Sequence, residues 1–185
     1  MQIEPTPLPE VKLIHPAIFR DSRGYFLETF RDSRYAEAGI AGPFVQDNVS
    51  YSKKGTLRGL HFQQPNPQAK LVFVLSGKVF DVAVDIRTGS PTFGKWVGTE
   101  MSADDHVQLW VPEGFAHGFL VLSVAAVVQY KVRGPYDPKS EHTLLWNDPQ
   151  LAIDWPSEPT SISVKDREGK SLASLKSAGH LPILP

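Results

Sequence analysis

Cysteine is absent from this sequence, which removes disulfides, thiolate metal sites and any cysteine nucleophile. Charge of either sign is not in excess. Nineteen Lys and Arg stand against 20 Asp and Glu, a formal net charge of −1, so no global basic field attracts nucleic acid or an anionic membrane. An anionic ligand must be held by a few locally placed cations. No apolar stretch reaches membrane-spanning length. The opening MQIEPTPLPEVKL has no basic region followed by an apolar run, so no signal peptide is expected, and a cytoplasmic location follows by exclusion. Helix signals are also scarce. What the chain has in quantity is punctuation, 16 prolines and 14 glycines, which cuts it into short pieces suited to strands and turns.

The clearest strand runs from Lys78 to Ile86. Phe80, Val82, Val84 and Ile86 share one parity, Asp81 and Asp85 the other, between the turn signals Ser76-Gly77 and Thr88-Gly89-Ser90-Pro91. Lys70 to Leu75 is apolar on both faces after Lys70, as where two sheets pack over each other. His106 to Val111 alternates and stops at Pro112, and Phe119–Leu122 and Ala125–Val132 continue the series. This spacing predicts a mainly β sandwich or barrel. Asp32-Ser33 is expected to cap a short helix ending at Gly39, and a second short helix is expected near Ser171 to Ser177. With 185 residues and no internal repeat, one domain is expected. It divides into an N-terminal segment of about 1–45, a barrel of about 46–150, and a tail of about 151–185 packed across it.

Reactive residue types concentrate in GTLRGLHFQQPNPQAKL, which carries Arg58, His61 and Lys70. On one reading these are two solvated cations and a satisfied core histidine. Lys70, however, shares its parity with Val72 and Val74, which puts an ammonium on an inward face, where it is costly unless it serves a ligand. In VPEGFAHGF a turn leads into His117 with a Pro-x-Gly-x-x-His spacing that recurs in metal-binding cupin barrels. Those barrels add a His-x-His and a glutamate on an earlier strand. Here that strand reads Leu60-His61-Phe62-Gln63, with Gln63 in the second histidine's place, so no metal is expected. Tyr130 shares a face with Val128 and Val132 and, by that pattern alone, reads first as a packed aromatic whose hydroxyl finds one partner. Ser163 to Arg167 reads as a solvated turn, and Asp21 to Glu28 as a turn into a strand.

Taken in order, DSRGYFLETF, FVQDNVS, LRGLHFQ, GKVFDVAVDIR, VPEGFAHGF, YDPKSEHTLLWNDP, IDWP and KDR resemble the dTDP-4-dehydrorhamnose 3,5-epimerase family over roughly residues 10 to 170. The resemblance implies a double-stranded β-helix (cupin jelly-roll) barrel with a few short helices, working without metal or other cofactor. It implies His61 as catalytic base, Asp166 as the carboxylate that orients it, Tyr130 as the acid on the opposite face, and Lys70 beside the C4 oxygen. It further implies substrate binding by Arg23, Phe26, Glu28, Gln46, Asn48, Arg58 and His117, closure by Tyr136 and Glu141, and a place for Lys165 in the site. The implied assembly is a homodimer in which the Arg23–Glu28 segment enters the partner's pocket. Val132-Arg133-Gly134-Pro135 and the apolar Ser123–Ala126 depart from the family's usual pattern, and the former implies a differently seated lid.

The implied reaction converts dTDP-4-dehydro-6-deoxy-D-glucose to dTDP-4-dehydro-L-rhamnose. Hydrogens on C3 and C5 both flank the 4-keto carbon, so an imidazole can remove them, a phenol can return a proton, and a cation can hold the charge on O4. A mono-epimerase of an antibiotic sugar would use the same residue types. A nucleotide-sugar ketoisomerase would want a histidine pair on one strand, and His61 has no such companion. A non-catalytic sugar-binding cupin would need neither acid nor base, and a cupin oxygenase would need the missing metal ligands.

Overall fold

The computed structural model describes residues 1–184 as two facing β-sheets with three short helices. One sheet has the order β1 (Gln2–Pro5), β2 (Lys12–His15), β10 (Gln108–Val111), β7 (Ala69–Ser76), β12 (Ala125–Arg133), β5 (Phe44–Lys53). The other has the order β13 (Glu141–Thr143), β6 (Thr56–Gln63), β11 (Phe115–Val121), β8 (Lys78–Asp85), β9 (Trp96–Ser102), with β14 (Ser161–Ile162) paired to β6. Apart from β14 every pairing in the two sheets is antiparallel, and sequence neighbours repeatedly fall in opposite sheets, which is the jelly-roll arrangement. A separate hairpin, β3 (Ile18–Asp21) with β4 (Gly24–Leu27), belongs to neither sheet.

Of the three apolar clusters among the described residues, two explain the two-faced strands. Between the sheets, Val72, Val74, Leu109, Val111 and Val128 meet Val79, Ala83, Phe119 and Val121. Outside the second sheet, Val82, Val84 and Ile86 pack with Leu60 and Phe62 under the tail residues Leu172, Leu175 and Leu181. The alternation in β8 is therefore real, but its apolar parity faces the tail. The parity of Asp81 is the inner one, shared with Val79 and Ala83. The tail turns what would be a solvated face into a second core, and each leucine it buries there contributes about 2 kcal/mol.

Local chemistry sets the helices. In α1 (Asp32–Glu37) the capping position falls on Arg31, which supplies no side-chain cap, and Asp32 is already helical. The expected Asp32-Ser33 cap is thus displaced by one residue. Tyr35 anchors the helix instead, its buried hydroxyl sharing one proton between Gln108 Oε1 at 2.6 Å and the Thr29 carbonyl oxygen at 2.8 Å. The expected surface turn at Ser163–Arg167 is a helical turn, α2 (Val164–Arg167). Ser163 caps it by accepting from the Asp166 amide, and Asp166 is buried. Ser171 caps α3 (Leu172–Ser177) in the same way.

Candidate active site

A break in strand register builds the site. Arg58 and His61 are three positions apart in β6, so in an unbroken strand their side chains would leave by opposite faces. Against β11, however, His61 pairs with His117 while Arg58 pairs with Phe119, a bulge that places one extra residue in β6. Gly59 and Gly118 make this possible. A Cβ on Gly59, whose φ is +120°, would lie 2.6 Å from the Gly118 Cα, and one on Gly118 2.5 Å from the Arg58 carbonyl oxygen. The bulge reverses the parity, and Arg58 and His61 line one cavity.

That cavity, about 410 Å³, opens at one end of the barrel and is lined by Gln46, Asn48, Arg58, His61, Lys70, Tyr130, Tyr136 and Glu141 among others. A deeper recess of about 120 Å³ shares Arg58, His61, Lys70 and Tyr130 and is floored by His117, Gly118 and Phe119. The size suits a small polar ligand rather than a macromolecule.

Within it His61 Nε2 lies 2.5 Å from Asp166 Oδ1, and Asp166 Oδ2 accepts from the Gly59 amide at 3.4 Å. The helical turn α2 thus delivers a buried carboxylate behind the imidazole and leaves Nδ1 without a hydrogen-bond partner among the described residues. Burial pushes the His61 imidazole below its ordinary value of 6.5, against the pull of Asp166, so the ring is neutral at pH 7. Burial works to raise Asp166, but the bonds from His61 and Gly59 outweigh it and keep the group in the carboxylate form. A neutral imidazole anchored at one nitrogen by a carboxylate is built to take a proton at the other.

Lys70 reaches across the barrel from β7 until its Nζ is 3.4 Å from the His61 carbonyl oxygen on β6. Burial lowers the ammonium to about 8, opposed by Asp81 and Glu141. Tyr130, inward-facing beside Val128 and Val132, has a phenol raised above 10 by burial, so it holds its proton at neutral pH. Arg58 is aimed by Ser52, whose Oγ accepts from Nε at 2.8 Å. At the rim, Glu141 accepts from Lys165 Nζ at 2.9 Å and from the Tyr136 hydroxyl at 3.4 Å.

Most of the residues singled out in the sequence therefore converge here. Arg23, Phe26 and Glu28 do not. Arg23 is 88% exposed and pairs with its neighbour Asp21, Phe26 is exposed on the hairpin, and Glu28 pairs with Arg31 and Arg34. Sequence reasoning also passed over contributors. Gln63, noted only for standing where a ligand histidine would be, clamps the loop that follows β12: its Nε2 donates to the Pro135 carbonyl at 3.1 Å and its Oε1 accepts from the Asp137 amide at 3.1 Å. Gln68 adds a bond to the Gly134 carbonyl at 3.3 Å, so Val132–Pro135 is tied to the pocket wall. Asp81, buried behind His117 with 2.7 Å between Oδ1 and Nε2, was visible only as an acid alternating with valines. Among the described residues no three His, Asp or Glu side chains converge as a metal shell requires.

Comparison with known proteins follows the same lines. The sequence profile described as dTDP-4-dehydrorhamnose 3,5-epimerase matches residues 5–174. A dTDP-4-dehydrorhamnose 3,5-epimerase of Neisseria gonorrhoeae is 54% identical over 184 residues; the match covers 98% of this chain, which spans only 56% of that relative's length. The crystal structure of dTDP-6-deoxy-D-glucose-3,5-epimerase from Legionella pneumophila, in complex with dTDP-4-keto-L-rhamnose, superposes with a TM-score of 0.95 at 52% identity, covering 100% of this chain and 98% of that one. A 3′-monoepimerase from Streptomyces bikiniensis in complex with dTDP-quinovose superposes at 0.90 with 34% identity, covering 97% and 92% of the two chains.

Proposed function

Because this chain belongs to the dTDP-4-dehydrorhamnose 3,5-epimerase family, we propose that its cavity inverts C3 and C5 of dTDP-4-dehydro-6-deoxy-D-glucose to give dTDP-4-dehydro-L-rhamnose. The observation that carries the reading is the convergence of an anchored neutral imidazole, a protonated phenol and a buried ammonium on one recess. His61 removes the hydrogen on C5 or C3, and the electron pair of the C–H bond moves into the C4 carbonyl to form an enolate. Lys70 stabilises the charge on O4, an interaction stronger in the transition state than in the substrate. Tyr130 delivers its proton to the other face of the same carbon, and the proton on His61 passes through solvent to regenerate the phenol. Substrate and product differ only in configuration, so no redox equivalent is consumed. Arg58, with Gln46 and Asn48, holds the diphosphate end, where a forked guanidinium suits phosphate oxygens.

The test is incubation with dTDP-4-keto-6-deoxyglucose in D₂O, read by NMR. Deuterium is expected at both C3 and C5 of an inverted product. Label at one carbon only would favour the mono-epimerase reading, which the Streptomyces bikiniensis likeness keeps in view. No label would reduce the protein to a sugar-binding barrel.

The active assembly is a homodimer in which Arg23, Phe26 and Glu28 serve the neighbouring cavity. Support comes from the β3–β4 hairpin, which carries Phe19, Tyr25 and Phe26 exposed, and from the edge strand β5, which presents Val45, Val49 and Tyr51. Apolar surface on a hairpin and an open edge marks a site of association. Mixing His61→Ala chains with Arg23→Ala chains, each nearly inactive alone, is expected to restore up to about a quarter of wild-type activity. Half the pairs are mixed, and each mixed pair has one intact site. No recovery after confirmed subunit exchange would overturn the shared site.

A further inference from the structure

Asp81 has no role in the chemistry so far. It lies fully buried on the inner face of β8, and its Oδ1 accepts from His117 Nε2 at 2.7 Å. Its second oxygen, Oδ2, is buried and has no hydrogen-bond partner among the described residues, an uncommon state for a carboxylate whose desolvation is costly. The other acid of the same strand shows what a structural carboxylate does here. Asp85 is saturated by Arg87, Ser90 and Thr92. Asp81 has one bond, and it holds a cavity-floor histidine.

Lys70 has the complementary deficit. Its ammonium crosses the barrel interior, makes one long bond to the His61 carbonyl, and among the described residues has no carboxylate within 4 Å. His61 and His117 are register partners on adjacent strands, so the end of the Lys70 side chain and the His117–Asp81 pair occupy the same part of the interior. We propose that Asp81 is a positioning residue of this site, clamping His117 through Oδ1 and serving as the buried counter-charge that holds the Lys70 ammonium in place beneath the sugar. Asp81 is also the largest influence keeping Lys70 protonated against its burial, ahead of Glu141, while Lys165 opposes both. The other groups facing the pair are Arg58 and His61 on β6, His117 on β11 and Tyr130 on β12. The assignment builds on the reading of Lys70 as the cation at O4, so its test must separate the two.

Trace acetylation of the folded protein with acetic anhydride across a pH series, read by mass spectrometry on the Lys70 peptide, gives the Lys70 titration without substrate. In Asp81→Asn, which keeps an acceptor for His117 but removes the charge, the midpoint is expected to fall by about one unit, a tenfold change in the ammonium-to-amine ratio. The alkaline limb of kcat is expected to fall with it, with little change in KM. An unmoved midpoint overturns the role of Asp81. A midpoint that moves while the alkaline limb stays overturns the role of Lys70 instead and leaves Asp81 as its counter-charge. Should Asp81→Asn fold poorly, adding Lys70→Met decides. With the ammonium gone no buried cation is left without its counter-charge, so Lys70→Met/Asp81→Asn is expected to regain a cooperative melt above that of Asp81→Asn. A double variant that folds no better than Asp81→Asn overturns the proposal.

Discussion

His61→Ala is expected to abolish exchange of substrate hydrogen with solvent and to lower kcat by about 10³-fold, within the range general-base catalysis supplies. The loss falls on kcat because the imidazole acts on the C–H bond, whereas the diphosphate is held by other residues. Some stability goes with it. Asp166 loses its His61 partner and keeps the Gly59 amide, a cost of about 1–3 kcal/mol for a buried acceptor left short. That is survivable against a typical stability of about 5–15 kcal/mol. The same assignment fixes the pH profile. His61 must be neutral, so kcat/KM rises with pH through a value below 6.5; Lys70 must be charged, so kcat/KM falls again as pH climbs through about 8. Wild-type exchange rates in the alanine variant would remove His61 from the role of base.

Tyr130→Phe is expected to uncouple the two halves of the reaction. Without the hydroxyl, His61 still forms the enolate and returns a proton to the face it came from. Deuterium therefore still enters the substrate while inverted product falls by about 10²-fold or more. The ring and its packing against the barrel core remain, so little stability is lost and only proton delivery is probed. Burial strengthens the prediction, since it raises the phenol and keeps the proton available across the working pH range. Deuterium content and stereochemistry scored by NMR on the same samples separate this outcome from that of His61→Ala, where exchange and inversion fail together. Inversion at the wild-type rate in Tyr130→Phe would pass the acid role to water or to another group.

The amino-acid sequence by itself determined the class of fold and the chemistry on offer. Turn residues at short intervals and period-two runs in Lys78–Ile86 and Ala125–Val132 dictate strands, because alternation is a local property of extended backbone. Parity alone turned Lys70 and Tyr130 inward, and the ordered motifs named the family. Tertiary structure decided what depends on contacts distant along the chain. Whether the Phe80–Ile86 parity or the Asp81 parity faced the barrel depended on α3, some ninety residues later, covering the outer face. Asp166 read as one acid in a solvated run until α2 folded it against a strand more than a hundred residues earlier. Arg58 and His61 share a cavity through a bulge that no periodicity announces, because its cause is the contact of Gly59 with Gly118 on another strand. Asp81 became legible only once His117 and Lys70 stood near it, since the cost of a buried charge is set by its neighbours in space.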